Sequence, residues 1–215
     1  MRLAEPVFFS LQWEWPNTWK PSIFVRFFGC NLCCSWCDSK YAVNKPEWIL
    51  TMTVEEVVKK ISEINCKHII FTWWEPGLFE EDIAKIMNIL PPSYTYEIET
   101  NGSIPLKLMY DQINISPKLS NSWNKPYPLK TLQNYWQRRL MNYCFKFVAK
   151  DNKDCKEILK YIAQHWIRAD EVFIMPMWTD NDSQINKEVL DFCLKNNFRY
   201  CLRTHILLFW NKKWV

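Results

Sequence analysis

The sequence predicts an α/β fold, a partial (open) β/α barrel on a mainly parallel sheet, in one domain over residues 1–215. Three observations predict it. Short apolar runs alternate with amphipathic stretches of helical period, as in successive βα units. A length of 215 residues suits one domain and falls short of the roughly 250 that a closed eight-stranded barrel takes. The chemically unusual residues follow directly after the apolar runs, where the C-terminal ends of parallel strands collect a site.

The elements follow in order. Ser22–Phe28 (SIFVRFF) reads as a strand. Val54–Ile64 reads as a helix, with Thr53 and Glu56 spaced as a capping box. His68–Thr72 is a short buried strand, and Phe79–Leu90 a helix with acidic residues in its first turn. Tyr94–Glu99, Gln112–Ser116 and Cys144–Val148 read as strands. Lys153–His165 is a helix, Glu171–Met175 a strand, Asn186–Asn196 a helix and Arg199–Thr204 the last strand. Five post-strand loops then converge on one face: Cys30–Cys37, Trp73–Pro76 (WWEP), Glu99–Ser103 (ETNGS), Ser116–Lys118 and Met175–Trp178 (MPMW).

Composition excludes several classes. Hydrophobic residues make up 48% and charged residues 23%, enough apolar mass to build a core rather than a disordered chain. No apolar run approaches the roughly 18 residues of a membrane helix. The N-terminal MRLAEPVFFS lacks a signal-peptide core, so a cytoplasmic location is expected. A net charge of +4, from 27 basic and 23 acidic residues, is too mild to argue for nucleic acid. Nine cysteines in such a chain point to metal or redox chemistry rather than disulfides. Five of them, Cys66, Cys144, Cys155, Cys193 and Cys201, sit in apolar surroundings and read as buried thiols.

The other four lie close together in Gly29-Cys30-Asn31-Leu32-Cys33-Cys34-Ser35-Trp36-Cys37-Asp38. Read as two abutting C-x2-C pairs, they suggest zinc. Structural zinc sites, however, separate their pairs by about a dozen residues or more, so that two knuckles can face each other. Read as C-x3-C-x2-C, Cys30, Cys34 and Cys37 place three thiolates on one tight loop. Thiolates are the usual ligands of iron–sulfur clusters. Three of them leave one iron of a [4Fe–4S] cluster open to a small molecule, with Cys33 a bystander.

That spacing, with Trp36 before the last cysteine, resembles the radical S-adenosylmethionine (SAM) superfamily. More narrowly, the chain is similar almost end to end to the 7-carboxy-7-deazaguanine synthase family. Phe9–Trp15 (FSLQWEW) stands where that family has F-x-x-Q-G-E-G. Phe24–Gly29 and Cys30–Asp38 match its F-I-R-F-x-G-C-N-L-x-C-x-W-C-D. Trp73–Pro76 stands at G-G-E-P, Glu99–Gly102 at E-T-N-G and Ser116–Lys118 at S-P-K. The tail Thr204–Val215 resembles an ending in H-x-x-x-x-G-N-x-x-G-V.

The resemblance implies a radical SAM carbon–nitrogen lyase. Its reaction turns 6-carboxy-5,6,7,8-tetrahydropterin into 7-carboxy-7-deazaguanine and ammonia, on the route to queuosine in tRNA and other deazapurines. The implied cofactors are a [4Fe–4S] cluster, SAM and Mg2+. The implied partners are an electron donor such as flavodoxin or ferredoxin, and a second copy in a homodimer. On this resemblance Cys30, Cys34 and Cys37 ligate the cluster, and Ser39, in place of a family threonine, ligates Mg2+. Trp36, Cys37, Asp38, the Trp74 position, Ser116, Pro117, Lys118, Met175, Pro176, Met177 and Trp178 contact SAM. Leu11, Gln12, the Trp13 position, Glu14, Arg26, Thr72 and the carboxylate of Val215 contact the pterin. Arg26 suits the substrate carboxylate, since a guanidinium pairs with it bidentately.

The departures share one direction. Tryptophan stands at family glycines at 13, 15, 73, 74, 210 and 214, and Trp19, Trp123 and Trp178 sit in turn-like settings that suit glycine. The chain has 3 glycines and 13 tryptophans, against the roughly 15 glycines that average usage gives. Two readings follow. Either UGA codons read as glycine have been written as tryptophan, or the tryptophans are genuine. In the second case the chain is a degenerate homologue or a non-catalytic zinc-binding or Trp-rich interaction module. Another small radical SAM enzyme, such as a glycyl-radical activase, shares the cysteine loop; the Q-x-E segment and the tail speak against it.

Overall fold

Strand residues alternate between the two faces of a sheet, and here the two faces differ in chemistry. The computed structural model describes residues 1–37, 49–132, 140–177 and 185–209. Asp38, Ser39, Trp178 and Val215, all expected site residues, lie outside them.

Among the described residues the main sheet has eight strands: β2 (Phe8–Leu11), β3 (Pro21–Arg26), β5 (His68–Thr72), β6 (Thr95–Thr100), β7 (Gln112–Ile115), β8 (Asn142–Ala149), β9 (Val172–Pro176) and β10 (Arg199–Tyr200). Their spatial order is β10-β9-β8-β7-β6-β5-β3-β2. All neighbours pair in parallel except β2, which runs antiparallel to β3 at the edge. The sheet is open, its ends β10 and β2 unpaired with each other, as the chain length implies. Two short strands, β1 (Arg2–Leu3) and β4 (Leu50–Thr51), make a separate ribbon.

One face of the sheet is apolar. Val25, Phe71, Ile98, Ile113, Phe147 and Ile174 share a continuous core with Val57 and Ile61 of α1 (Val54–Ser62) and with Ile83 and Ile86 of α2 (Glu80–Ile89). Ile158 of α3 (Asn152–His165) and Val189 of α4 (Lys187–Asn196) complete it. The alternate positions carry Arg26, His68, Thr72, Glu97, Glu99, Asn114 and Lys146 on the other face. Burying apolar area at about 25 cal/mol per Å² holds the helices on the first face. The second face is left for chemistry.

Local sequence fixes the helix starts. The Thr53–Glu56 capping box forms, with Glu56 N–H donating to Thr53 Oγ1 at 3.1 Å and Thr53 N–H to Glu56 Oε2 at 2.7 Å. Asp151 caps α3 and Asn186 caps α4, satisfying N–H groups that a helix start leaves unpaired.

Two differences from the sequence expectation concern edges. Phe8–Leu11 is a strand, held by its register on β3 rather than by a pattern of its own. The last strand ends at Tyr200, not Thr204, and α5 (Thr204–Phe209) follows. Arg199 and Tyr200 pair with β9, and Cys201 N–H donates to Ile174 O at 2.9 Å. The Thr204 hydroxyl donates to Trp13 O at 2.6 Å, which draws the chain off the sheet edge.

The backbone holds one anomaly. Among the described residues eight non-glycine positions have positive φ, and six are tryptophans: Trp15 (69°), Trp19 (75°), Trp73 (69°), Trp74 (46°), Trp123 (63°) and Trp166 (56°). Leu132 and Asn197 are the others. Only a few per cent of non-glycine residues adopt this region, which costs an L-residue about 1–2 kcal/mol.

Candidate active site

The loops after the parallel strands are tied to one another. The cysteine loop follows β3 and is held from two sides. Asn31 Nδ2 donates to Ser103 Oγ at 2.8 Å and Asn101 Nδ2 donates to Asn31 Oδ1 at 3.0 Å, which fastens it to the ETNG loop after β6. Ser35 N–H donates to Ser122 O at 2.9 Å and Cys33 N–H to Asn124 Oδ1 at 2.9 Å, which fastens it to the segment after β7. Two sulfurs accept hydrogen bonds: Cys30 Sγ from Leu32 N–H at 3.4 Å, and Cys34 Sγ from Asn124 Nδ2 at 3.2 Å. Such donors tune a metal-bound thiolate. Among the described residues no three His, Cys, Asp or Glu side chains converge on a single ion. Three thiolate donors on one loop, two of them accepting hydrogen bonds, suit an iron–sulfur cluster.

Glu75, in the loop after β5, is fully buried. It accepts from the Thr100 hydroxyl at 2.8 Å, Asn101 N–H at 2.8 Å and Gly77 N–H at 2.9 Å. Burial pushes its carboxyl up to about 7, against these hydrogen bonds. Glu75 N–H in turn donates to Gly29 O at 3.2 Å. One carboxylate thus locks the WWEP loop to the ETNG loop and to the residue before Cys30. Beyond β7, Lys118 Nζ donates to Ser116 Oγ at 2.7 Å and lies 5.4 Å from the Trp36 ring centre. Tyr127 bridges Lys118 N–H and Asn101 O. Pro117 is buried between them in sequence. Cys37, Trp36 and Ser116–Lys118 therefore share one connected set of loops.

The polar face of the sheet holds the other expected residues. Gln12 is buried after Leu11, the last residue of β2. Its amide donates to Glu97 Oε1 at 2.7 Å and Glu99 Oε1 at 3.1 Å, and its oxygen accepts from Trp13 N–H at 2.8 Å. Glu97 is fully buried and also takes Asn17 Nδ2 at 2.7 Å, Asn114 Nδ2 and the His68 ring at 3.1 Å. Thr72 donates to Glu99 Oε2. Glu14 pairs with Lys146. Burial pulls the Lys146 ammonium down, but Glu14 and its other neighbours outweigh that and hold it above its ordinary value. Burial pushes Glu99 up to about 7, with Lys146 opposing and Glu14 adding to the rise. Arg26 pairs with buried Glu5 and sits against four rings, with Trp73 at 4.8 Å and Phe8 at 4.9 Å.

The tryptophans crowd this face. Trp73 and Trp74 lie 5.5 Å apart, and Trp74 meets Phe28 edge-on at 4.7 Å. Trp15 packs with Cys144, Phe173, Met175 and Cys201, under the Lys146 ammonium at 4.2 Å. Met175 and Pro176 end β9 in the buried interior, and Met177 N–H returns to Ala149 O at 2.8 Å. Trp13 stacks on Phe24 at 5.0 Å and lies 5.0 Å from His205. Among the described residues the buried indole N–H groups of Trp13, Trp15, Trp36 and Trp74 have no acceptor, whereas buried indoles usually find one.

The sequence profile of the radical SAM superfamily matches residues 24–121, from β3 through the 3-10 turn after β7. Over that span the chain is similar to the radical SAM superfamily. That superfamily is one whose members use a [4Fe–4S] cluster and SAM. Curated relatives extend the match. The 7-carboxy-7-deazaguanine synthase of Pyrobaculum aerophilum is 29% identical over 218 aligned residues, 96% of this chain and 94% of its own. That of Bacteroides thetaiotaomicron is 36% identical over 118, covering 55% and 62% of the two chains. Among solved structures, QueE from Escherichia coli superposes with a TM-score of 0.69 over 93% of this chain and 92% of its own, at 21% identity. The open radical SAM sheet expected from the sequence is thus the fold observed.

The structure adds residues that the sequence did not single out: Glu75, Glu97, Glu99, His68 and Lys146. Glu75 and Glu99 stand inside the WWEP and ETNGS motifs. Lys146 alternates with buried Phe145 and Phe147 on β8, the same signal that marked Arg26 on β3. His68 and Glu97 carried no local signal, because their partners are distant in sequence.

Proposed function

We propose that the protein is a radical SAM lyase that converts 6-carboxy-5,6,7,8-tetrahydropterin to 7-carboxy-7-deazaguanine and ammonia. The observation that supports this reading is the polar sheet face on which Gln12 bonds to Glu97, Thr72 to Glu99 and Glu14 pairs with Lys146, in a chain similar almost end to end to such synthases. Cys30, Cys34 and Cys37 would hold the cluster. When bound there, the cluster would supply the one-electron reduction of SAM that makes hydrogen abstraction from the pterin possible.

The chain's own residues bind and orient. Trp36, Cys37, Asp38, position 74, Ser116–Lys118 and Met175–Trp178 would contact SAM. Glu75 keeps their loops in register. Arg26 keeps N–H donors free of Glu5, because a guanidinium has five, and these meet the pterin carboxylate. Glu14 accepts pterin N–H groups and is oriented by Lys146. Gln12 is oriented by Glu97 and Glu99, and Thr72 by Glu99. Leu11, position 13 and the Val215 carboxylate close the substrate side. Ser39 supplies an oxygen to Mg2+, a hard cation that prefers such ligands. We further assign a single domain, a cytoplasmic homodimer and a flavodoxin or ferredoxin as electron donor. No described helix is long and apolar enough to cross a membrane.

The test is anaerobic reconstitution with iron and sulfide, then incubation with SAM, reductant and the carboxypterin. Brown protein and 7-carboxy-7-deazaguanine in the product mixture are expected. Colourless protein that takes up only zinc overturns the reading.

A further inference from the structure

We propose that the chain made by its native ribosome carries glycine at positions 15, 19, 73, 74, 123 and 166, through UGA codons read as glycine. Backbone conformation carries this assignment independently of the synthase reading. Positive φ is the region glycine enters without penalty, and all six positions are there. Gly29 (144°) and Gly102 (82°) share that sign. Trp36 does not, and it stands where the family resemblance has tryptophan. Trp13 also has an ordinary backbone and is outside the proposal.

Positions 123 and 166 belong to none of the motifs that carry the resemblance. Trp166 ends α3 in the left-handed conformation (φ 56°, ψ 41°) and is 87% exposed. That is the helix-ending position where glycine is usual and asparagine the common substitute. The next helix obeys the rule: α4 ends on Asn197 at φ 56°, ψ 39°. Trp123 ends the turn after β7 at φ 63° and is 85% exposed. Neither indole is buried enough to offset its backbone.

At the site the consequence is space. With glycine at 73 and 74, the two rings between Arg26 and Phe28 are gone, and the loop leading to Glu75 has exposed backbone for a ligand.

The experiment is peptide mass spectrometry on protein isolated from its native source, read with the gene's codons. Glycine at all six positions, each encoded by UGA, with tryptophan kept at 36, is the expected result. Tryptophan at any of the six overturns the proposal. A recombinant chain with all six Trp→Gly changes gives a second readout. Its melting midpoint is expected to rise by more than roughly 10 °C over the tryptophan chain; an unchanged or lower midpoint overturns it. Glycine peptides from a protein without pterin turnover would overturn only the synthase reading.

Discussion

Trp166 offers the cleanest perturbation. Its side chain is 87% exposed, so removing it forfeits little burial. Its Cβ in the left-handed region costs about 1–2 kcal/mol. Glycine removes that cost and pays back about 0.5–1 kcal/mol in backbone entropy. The net gain for Trp166→Gly is therefore about 1 kcal/mol. For a domain of this size that raises the melting midpoint by about 2–4 °C. Trp166→Ala is the decisive control. It removes the same indole but keeps Cβ, and is expected to leave the midpoint within about 1 °C of the parent. Differential scanning calorimetry of the cluster-free protein reads both. If alanine stabilises as much as glycine, the indole and not the backbone is at fault, and the reasoning fails. A drop with glycine refutes it as well.

Three further predictions follow from the site. After anaerobic reconstitution, Cys34→Ala should lose bound iron and visible absorbance while Cys33→Ala keeps both; loss in both variants would restore the two-pair parse. Glu97→Gln leaves one acceptor oxygen for Gln12, Asn17 and Asn114, so a buried donor goes unpaired at about 1–3 kcal/mol; urea titration should show that loss, and an unchanged midpoint would refute the network. Glu99 holds its proton up to about pH 7 when folded, against an ordinary value of 4.5. Between those values the unfolded chain releases a proton that the folded one keeps, so stability should fall as pH rises from 4.5 to 7. Glu99→Gln should flatten part of that slope, and an identical slope in the variant would remove Glu99 as its source.

Features set by short-range rules were legible in the sequence. The capping box at Thr53, the apolar run His68–Thr72 and the three-cysteine loop each depend on spacings of a few residues. The polar face was half legible. Arg26 stood out because it alternates with Val25 and Phe27, and the same test applied to Lys146 would have found it. Glu97 was illegible, because its partners Gln12, His68 and Asn114 come from three other segments. The edges were misjudged for a related reason. Phe8–Leu11 is a strand by virtue of β3, and Arg199–Thr204 stops early because Thr204 bonds to Trp13. Trp13 was grouped with the glycine-like tryptophans by its motif, yet its backbone is ordinary and it stacks among Phe8, Phe24 and His205.

Backbone strain is often concentrated at functional sites, where it serves the mechanism, and this is the natural rival account of the six tryptophans. It reaches Trp15, Trp73 and Trp74, which lie on the site. It does not reach Trp166, which follows α3 and precedes β9, at the end of the strands opposite the cysteine loop. Nor does it explain Trp19, half exposed in a surface turn. At about 1–2 kcal/mol each, six such residues would cost roughly 6–12 kcal/mol, comparable to the entire stability of a typical domain, about 5–15 kcal/mol. A mechanism that needs strain confines it to where the chemistry is. Strain that falls on one residue type at six of eight positions, spread over helix ends, turns and site alike, follows the residue type rather than the reaction.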